Sequence, residues 1–455
     1  MEVTTVENQP VAGLTPEETS LWRFRGAIKV GSAIVEQGTF SLSTWLLQTF
    51  MVRWLADEAD FGGFSIAFAW FLLAGAAHNA LVIEPMMVYG GKRYAGQIRQ
   101  YFGVLAGGSV CASVSMAVLL AGVGLGYATF GHPGVAAACW SLAGAAPFVF
   151  LLWLMRRTSY VTHRPHRSAI AGAGYLFAMV AGFVLLHQAG RFTVPMAVLV
   201  MAVASLGASI WLLRSEAVVW PAGANDSQTS QSLAISVRND HWRFGRWMLL
   251  SGLAGMIASQ WFFVVLPWFT DVGAGGALRA LSNLFQPVVQ AIIAFTGVLL
   301  PVLVRAVGTP RYVALVRKAM LVMVGGPLLA WLACGLLSSW LVRLVYSGRY
   351  LDDAPLLWLL GLQPAAAGFI AVVHAELCVA DRPDRMFAAS AASLAFTLTA
   401  GTALMYFGGM WGVTAATLGA MLLNALVAWY FVRTGPRLSS GAGHPDDGSR
   451  GETGI

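Results

Sequence analysis

The sequence predicts an all-α polytopic membrane protein of about twelve transmembrane helices in two six-helix lobes. Three observations predict it. Hydrophobic residues make up 57% of the chain and charged ones only 11%, with a mean hydropathy of +0.68. A soluble domain carries about 25% charged residues, so this chain has too little polar surface to cover a globule. Continuous apolar runs of roughly 20 residues, the length a helix needs to cross the hydrocarbon core, recur along nearly the whole length. They do not alternate apolar with polar, so they read as helices rather than barrel strands. Finally, the two halves echo each other. Trp22-Arg23-Phe24 stands before the first run and Trp242-Arg243-Phe244 before the seventh, and EPMMVYGGKRYAGQIRQ resembles LPVLVRAVGTPRYVALVRK with Arg93-Tyr94 aligned on Arg311-Tyr312. An even number of helices per half makes such a repeat parallel, related by an axis along the membrane normal.

The elements follow in order. Residues 1–26 are a polar N-terminal segment without the apolar core of a signal peptide. The N-lobe, 27–213, holds helices at Ala27–Val52, Gly63–Val88, Phe102–Phe130, Val135–Met155, Ala169–His187 and Val194–Leu213. Residues 214–245, with PAGANDSQTSQS at their centre, read as a linker. The C-lobe, 246–433, holds Arg246–Phe269, Ala280–Val304, Ala319–Val345, Pro355–Val379, Met386–Phe407 and Gly412–Phe431. The tail, 434–455, is rich in Gly, Ser and Asp and reads as disordered.

Lys and Arg set the orientation. Twenty-three of the 28 fall on the side that carries both termini, in clusters such as Lys92/Arg93/Arg99, Arg156/Arg157/Arg164/Arg167 and Arg305/Arg311/Arg317/Lys318. The first loop of the opposite side, RWLADEADFG, is net acidic. The positive-inside rule therefore places both termini in the cytoplasm. Basic residues scattered among short loops form no phosphate-tracking surface, so the net charge of +7 does not imply nucleic acid.

Polar groups are costly at membrane depth, so their pattern points to function. In the first helix Gln37, Ser41, Thr44 and Gln48 share one face, with Glu36 beside them. In the eighth, Arg279, Asn283, Gln286 and Gln290 repeat the same spacing. Gln363 and His374 share a face of the tenth. Such stripes either line a hydrated central cavity or bond neighbouring helices together. Arg279 either pairs with an anionic substrate group or snorkels to headgroups. Glu36 either exchanges protons as a coupling group or pairs with Lys29. His78, Asn79 and Glu84 are weaker candidates, and Glu84 before Pro85 fits a kink or cap.

No catalytic constellation, cofactor motif or metal set stands out. Cys111, Cys139, Cys334 and Cys378 lie inside apolar runs without CxxC or Cys/His spacing. Asp352-Asp353 has no third ligand and reads as a solvated loop, and there is no Walker loop.

The stretch VEQGTFSLSTWLLQTFMVRWLADEADFGGFSIAFAWFLL resembles the opening of bacterial polysaccharide (O-antigen) flippases of the multidrug/oligosaccharidyl-lipid/polysaccharide (MOP) exporter superfamily. It shares their polar first helix, the turn at Val52-Arg53-Trp54-Leu55 and the aromatic-Gly pair Phe61-Gly62 that opens the second helix. ALVIEPMMVYGGKRY is similar to the end of their second helix, and LVYSGRYLDDAPLLWLL to their segment joining helices nine and ten. The resemblance implies a MATE/MOP-like fold, alternating access, and no enzymatic activity. It implies transport of an undecaprenyl-diphosphate-linked oligosaccharide from the cytoplasmic to the periplasmic leaflet of the bacterial inner membrane. Membrane lipids, a polysaccharide polymerase and glycosyltransferases of the same pathway are the implied partners. Two rivals remain open: a cation-coupled multidrug exporter of the same superfamily, which favours acidic cavity residues, and an integral-membrane polysaccharide polymerase or ligase, which carries a long external loop.

Overall fold

The structure, a computed structural model, describes residues 16–218 and 227–435. The start of the N-terminal segment, the centre of the expected linker and most of the tail lie outside the described residues, as do the side chains of Trp22-Arg23-Phe24 and Lys29. Every regular element described is helical. In chain order these are α1 (Pro16–Trp54), α2 (Glu58–Tyr89), α3 (Ile98–Thr129), α4 (Pro133–Val161), α5 (Pro165–Gln188), α6 (Val194–Ser215), α7 (Ser227–Val265) and α8 (Val272–Asn283). There follow α9 (Gln286–Ala306), α10 (Arg311–Leu336), α11 (Ser338–Tyr346), α12 (Gln363–Val379), α13 (Pro383–Phe396) and α14 (Thr402–Thr434).

The protein is a multi-pass membrane protein. Among the described residues nine helices are long and apolar enough to cross a bilayer, or ten if the bent pair within 231–268 is one span. Two features explain the difference from the expected twelve. The last of the nine, Pro383–Thr434, is 52 residues long, roughly 78 Å at 1.5 Å per residue, more than twice the hydrocarbon core. It breaks at Gly409, whose φ of 52° and ψ of −131° are non-helical, between the two spans expected there. And α1 is not among the nine, because its polar stripe lowers its hydropathy.

Two expected boundaries move. α7 begins at Ser227, inside the segment read as a linker. From Ala224 to Phe244 that segment holds no Gly or Pro to stop a helix. Leu233, Val237 and His241, four residues apart, are all buried, so this stretch is an amphipathic face. The expected helix Ala280–Val304 is interrupted: α8 ends at Asn283 and α9 starts at Gln286. Pro287 accounts for the break, since it has no N–H to give to the preceding turn and disfavours a helical residue before it.

The chain divides into two compact units, Met1–Asn283 with Val345–Arg349, and Leu284–Leu344 with Tyr350–Ile455. The division falls at the α8–α9 break rather than after the sixth helix.

In the first unit α4 is the central helix, packed on α2, α3 and α6. Its Ala136, Cys139, Leu142, Phe150 and Leu154 are fully buried. Lipid provides little hydrophobic drive between helices, so close packing and interhelical hydrogen bonds hold them. Phe61, Phe64, Phe68 and Phe71 form a ladder along α2 that continues to Phe150, with successive centroids 6.1, 5.2, 5.9 and 5.0 Å apart. Gly62 lies directly against the Val272 carbonyl of α8. A π-turn at Asn79–Ile83 precedes Glu84-Pro85, and Asn79 donates to Glu84 across it at 2.8 Å. His78 stacks on Phe150 and bonds Ser109 at 2.8 Å. These three thus serve the shape of α2.

In the second unit α12 packs on α9 and α14. Val372, Val373, Leu377, Ala389 and Ala428 form its buried centre. Gly368 lies against the Met323 backbone beside a second π-turn, Leu321–Gly325. His374 bonds Asn424 at 3.1 Å, and the buried Gln363 Nε2 has no hydrogen-bond partner among the described residues.

Candidate substrate site

Arg279 lies midway along α8 and is only 7% exposed, which rules out a side chain snorkelling to the surface. Its Nε donates to the Ser65 hydroxyl at 3.1 Å, and its Nη2 donates to the Ser65 carbonyl and to Gln260 Oε1, each at 3.1 Å. The guanidinium sits 3.7 Å from the Phe263 ring centroid and 5.6 Å from that of Phe68. Ser65 is held in turn by donating to the Gly275 carbonyl at 3.1 Å. Every partner is neutral. Among the described residues no carboxylate forms an ion pair with Arg279. A buried charge is normally paired, so this cation is partly solvated by dipoles and π-faces and keeps its attraction for an anion.

One turn on, Asn283 is 3% exposed and donates to the Trp45 carbonyl at 3.3 Å and to the Thr49 hydroxyl at 3.4 Å. Tyr346 fixes the same helix by donating to the Ala280 carbonyl at 2.6 Å. The structure thereby joins the Arg279–Asn283 half of the eighth-helix stripe to α1. The other half is not joined: Gln286 and Gln290 begin α9, in the second unit. The continuous four-residue stripe read from the sequence is cut in two by the Pro287 break.

On α1 the polar face is less uniform than its spacing suggests. Thr44 returns its hydroxyl to the Phe40 carbonyl at 3.2 Å, a bond within its own helix. Gln37 is half-buried. The Ser41 hydroxyl, the Trp45 indole N–H and the Gln48 Oε1 are buried with no hydrogen-bond partner among the described residues, and Gln48 is 6% exposed.

Glu36 is fully buried and pairs with Arg156; the expected alternative partner, Lys29, has its side chain outside the described residues. It accepts from Arg156 Nε at 2.6 Å and Nη2 at 2.5 Å, from the Tyr160 hydroxyl at 2.7 Å and from Ser168 at 3.2 Å. A similar knot lies nearby, where Glu216 accepts from Ser159 and Thr162, each at 3.1 Å, and pairs with Arg167 at 3.5 Å. These carboxylates are already answered by donors and offer little to a cationic drug. On the loop after α2, Tyr94 donates to Asp240 at 2.6 Å and Arg93 pairs with it at 3.0 Å. Burial, with the bond to Asp240, raises the Tyr94 phenol and keeps it a donor. An apolar groove of about 650 Å³ runs between α5 and α6, lined by Gly174, Gly182, Val200 and Trp211 among others. No charged side chain lines it.

Sequence reasoning passed over Ser65, Gln260, Phe263 and Trp45. Ser65 and Gln260 are polar residues inside apolar runs, a signal present but weak. The two rings carried none, since aromatic residues are ordinary in such helices.

No family model matches the sequence, and no curated protein matches it. Solved structures do. An inward-facing MATE-family multidrug resistance transporter of the MOP superfamily superposes with a TM-score of 0.69 at 12% identity, covering 88% of this chain and 97% of its own. The lipid II flippase MurJ, in an inward closed conformation, gives 0.66 at 12% identity, over 91% and 88%. The chain has the MOP-superfamily fold. A Vibrio cholerae MATE transporter agrees, at 0.60 and 16% identity, over 90% and 97%. These neighbours are transporters rather than enzymes, and the MOP-fold group holds both a drug exporter and a lipid flippase.

Proposed function

We propose that the protein is a flippase that moves an undecaprenyl-diphosphate-linked oligosaccharide from the cytoplasmic to the periplasmic leaflet by alternating access, for polysaccharide biosynthesis. The observation that carries this reading is Arg279, a buried guanidinium whose protein partners are all neutral. A diphosphate is the complement of such a group: the bonds to Ser65 and Gln260 use Nε and Nη2, which leaves the two N–H of Nη1, with the positive charge, for diphosphate oxygens. The lipid II flippase among the fold neighbours supports the substrate class. The membrane is a bacterial inner membrane with both termini cytoplasmic, and the glycosyltransferases and polymerase of the pathway are the partners.

The multidrug transporters among those neighbours support the alternative, a cation-coupled drug exporter. Its recognition would rest on carboxylates, and in the first unit Glu36 and Glu216 are each engaged by three donor residues. A flippase-deficient strain separates the two. Arg279→Lys should restore part of the surface polymer, since Lys keeps the charge but has three donors against the five of Arg. Arg279→Ala should restore none, both variants reaching wild-type abundance in the membrane. Full polymer from the Ala variant removes Arg279 from the site. Drug resistance conferred by the wild type and kept by the Ala variant favours the exporter.

A further inference from the structure

We propose that Ser41, Trp45 and Gln48 form a sugar-binding face on α1, which deepens the flippase reading and rests on it. The residues are four and three apart, so they stack on one side of the helix over about 10 Å. Each holds a polar atom that is buried and has no hydrogen-bond partner among the described residues: a hydroxyl, an indole N–H and an amide carbonyl. Gln48 is more than nine-tenths buried. Neighbouring hydroxyl residues behave differently: Thr39, Ser43 and Thr44 all return their O–H to a carbonyl of α1. The face is therefore selective, with three buried groups left without a hydrogen bond among others that are satisfied.

The chemistry of the open groups names the ligand class. A metal ion or drug cation would call for acceptors alone, and an anion for donors alone. Here a group that both donates and accepts, a donor and an acceptor follow one another. That order matches a chain of sugar hydroxyls, each of which gives and takes a hydrogen bond. Trp45 adds an aromatic face for the C–H side of a sugar ring. Its backbone carbonyl receives the Asn283 amide at 3.3 Å, and Asn283 lies one turn from Arg279. A glycan on this face and a diphosphate at Arg279 would thus be read by adjoining segments of α1 and α8. The uncommitted atoms are the specificity element: they cost stability until a hydroxylated ligand meets them.

The test uses the purified full-length protein and two kinds of probe. One is undecaprenyl diphosphate, and the other is the same lipid carrying glucose, galactose or N-acetylglucosamine. The wild type should hold at least one sugar-bearing lipid more tightly than the bare diphosphate. Ser41→Ala/Trp45→Phe removes the open O–H and N–H while keeping an aromatic ring. It should abolish that preference, about tenfold or more, and leave affinity for the bare lipid unchanged. Because the deleted groups have no hydrogen-bond partner among the described residues, thermal stability should stay the same or rise. A preference that survives the double substitution overturns the proposal, and so does a fall in stability with equal loss of both probes. A wild type that holds bare and sugar-bearing lipids equally overturns the sugar face but spares the flippase reading. A wild type that binds neither probe overturns the flippase reading itself, and the sugar face with it.

Discussion

Glu36 is a carboxylate of a membrane helix with three side chains donating to it and no exposed surface. Breaking a buried pair by removing one partner costs about 3–5 kcal/mol, because the other charge is stranded, whereas replacing both by apolar groups is often neutral. This gives a double-mutant test. Glu36→Gln alone should lower the thermal midpoint and membrane abundance by stranding Arg156, and Arg156→Met alone should do the same by stranding Glu36. Glu36→Leu/Arg156→Met should recover most of the loss. If the pair is only structural, the recovered protein transports with the wild-type pH profile. If Glu36 is the coupling group, the recovered protein is folded but its transport no longer depends on pH. The sequence singled out Glu36 from its depth in the helix. It could not supply the partner, because Arg156 lies 120 residues away and reads as one more basic residue at a cytoplasmic helix end. Arg279 shows the same limit. Its isolation was legible; Ser65, 214 residues distant, was not.

At the level of elements, helix positions were legible because bilayer thickness fixes their length, and helix interruptions were not. The α8–α9 break needs only Pro287, but a Pro near a helix start also fits a helix that merely begins there, and the apolar run continues through it. The reading of one polar stripe on one helix followed from that ambiguity. The contact that sets α8 against α2 is equally local: a Cβ on Gly62 would run into the Val272 carbonyl, and backbone cannot step aside as a flexible side chain can. Gly62→Ala should therefore cost about 1–3 kcal/mol by overpacking. It should also reduce transport more than stability alone explains, since α8 carries Arg279 and α2 carries Ser65. Gly144 supplies the control. A Cβ there meets nothing, so Gly144→Ala should leave the thermal midpoint unchanged or raise it. Equal losses in the two variants, read by thermal unfolding of purified protein, would mean that the approach of α2 to α8 is not tight.

For the molecule as a whole, side-chain contacts across the first unit bear on the topology that Lys and Arg predict. Glu36 of α1, Arg156 near the end of α4 and Ser168 near the start of α5 meet in one knot. Trp54 at the end of α1 stacks on His187 at the end of α5, with centroids 4.4 Å apart, and packs on Phe192, just before α6, at 5.4 Å. Helix starts and ends therefore alternate between two poles, as an up-and-down path through a bilayer requires. One pole holds Arg156 and Arg167, both in ion pairs. The other holds the acidic turn around Asp57, whose side chain accepts from the Ala59 N–H at 3.0 Å. On the bias of basic residues, the first pole is the one expected to face the cytoplasm. His166 and Ala189 stand at opposite ends of α5 and are both exposed, about 35 Å apart at 1.5 Å per residue. In a variant without native cysteines, Ala189→Cys should react with a membrane-impermeant maleimide added to whole cells. His166→Cys should react only after the membrane is opened. The reverse pattern would invert the topology, and with it the side from which the proposed substrate enters. Labelling of both positions from outside would mean that α5 does not cross the membrane.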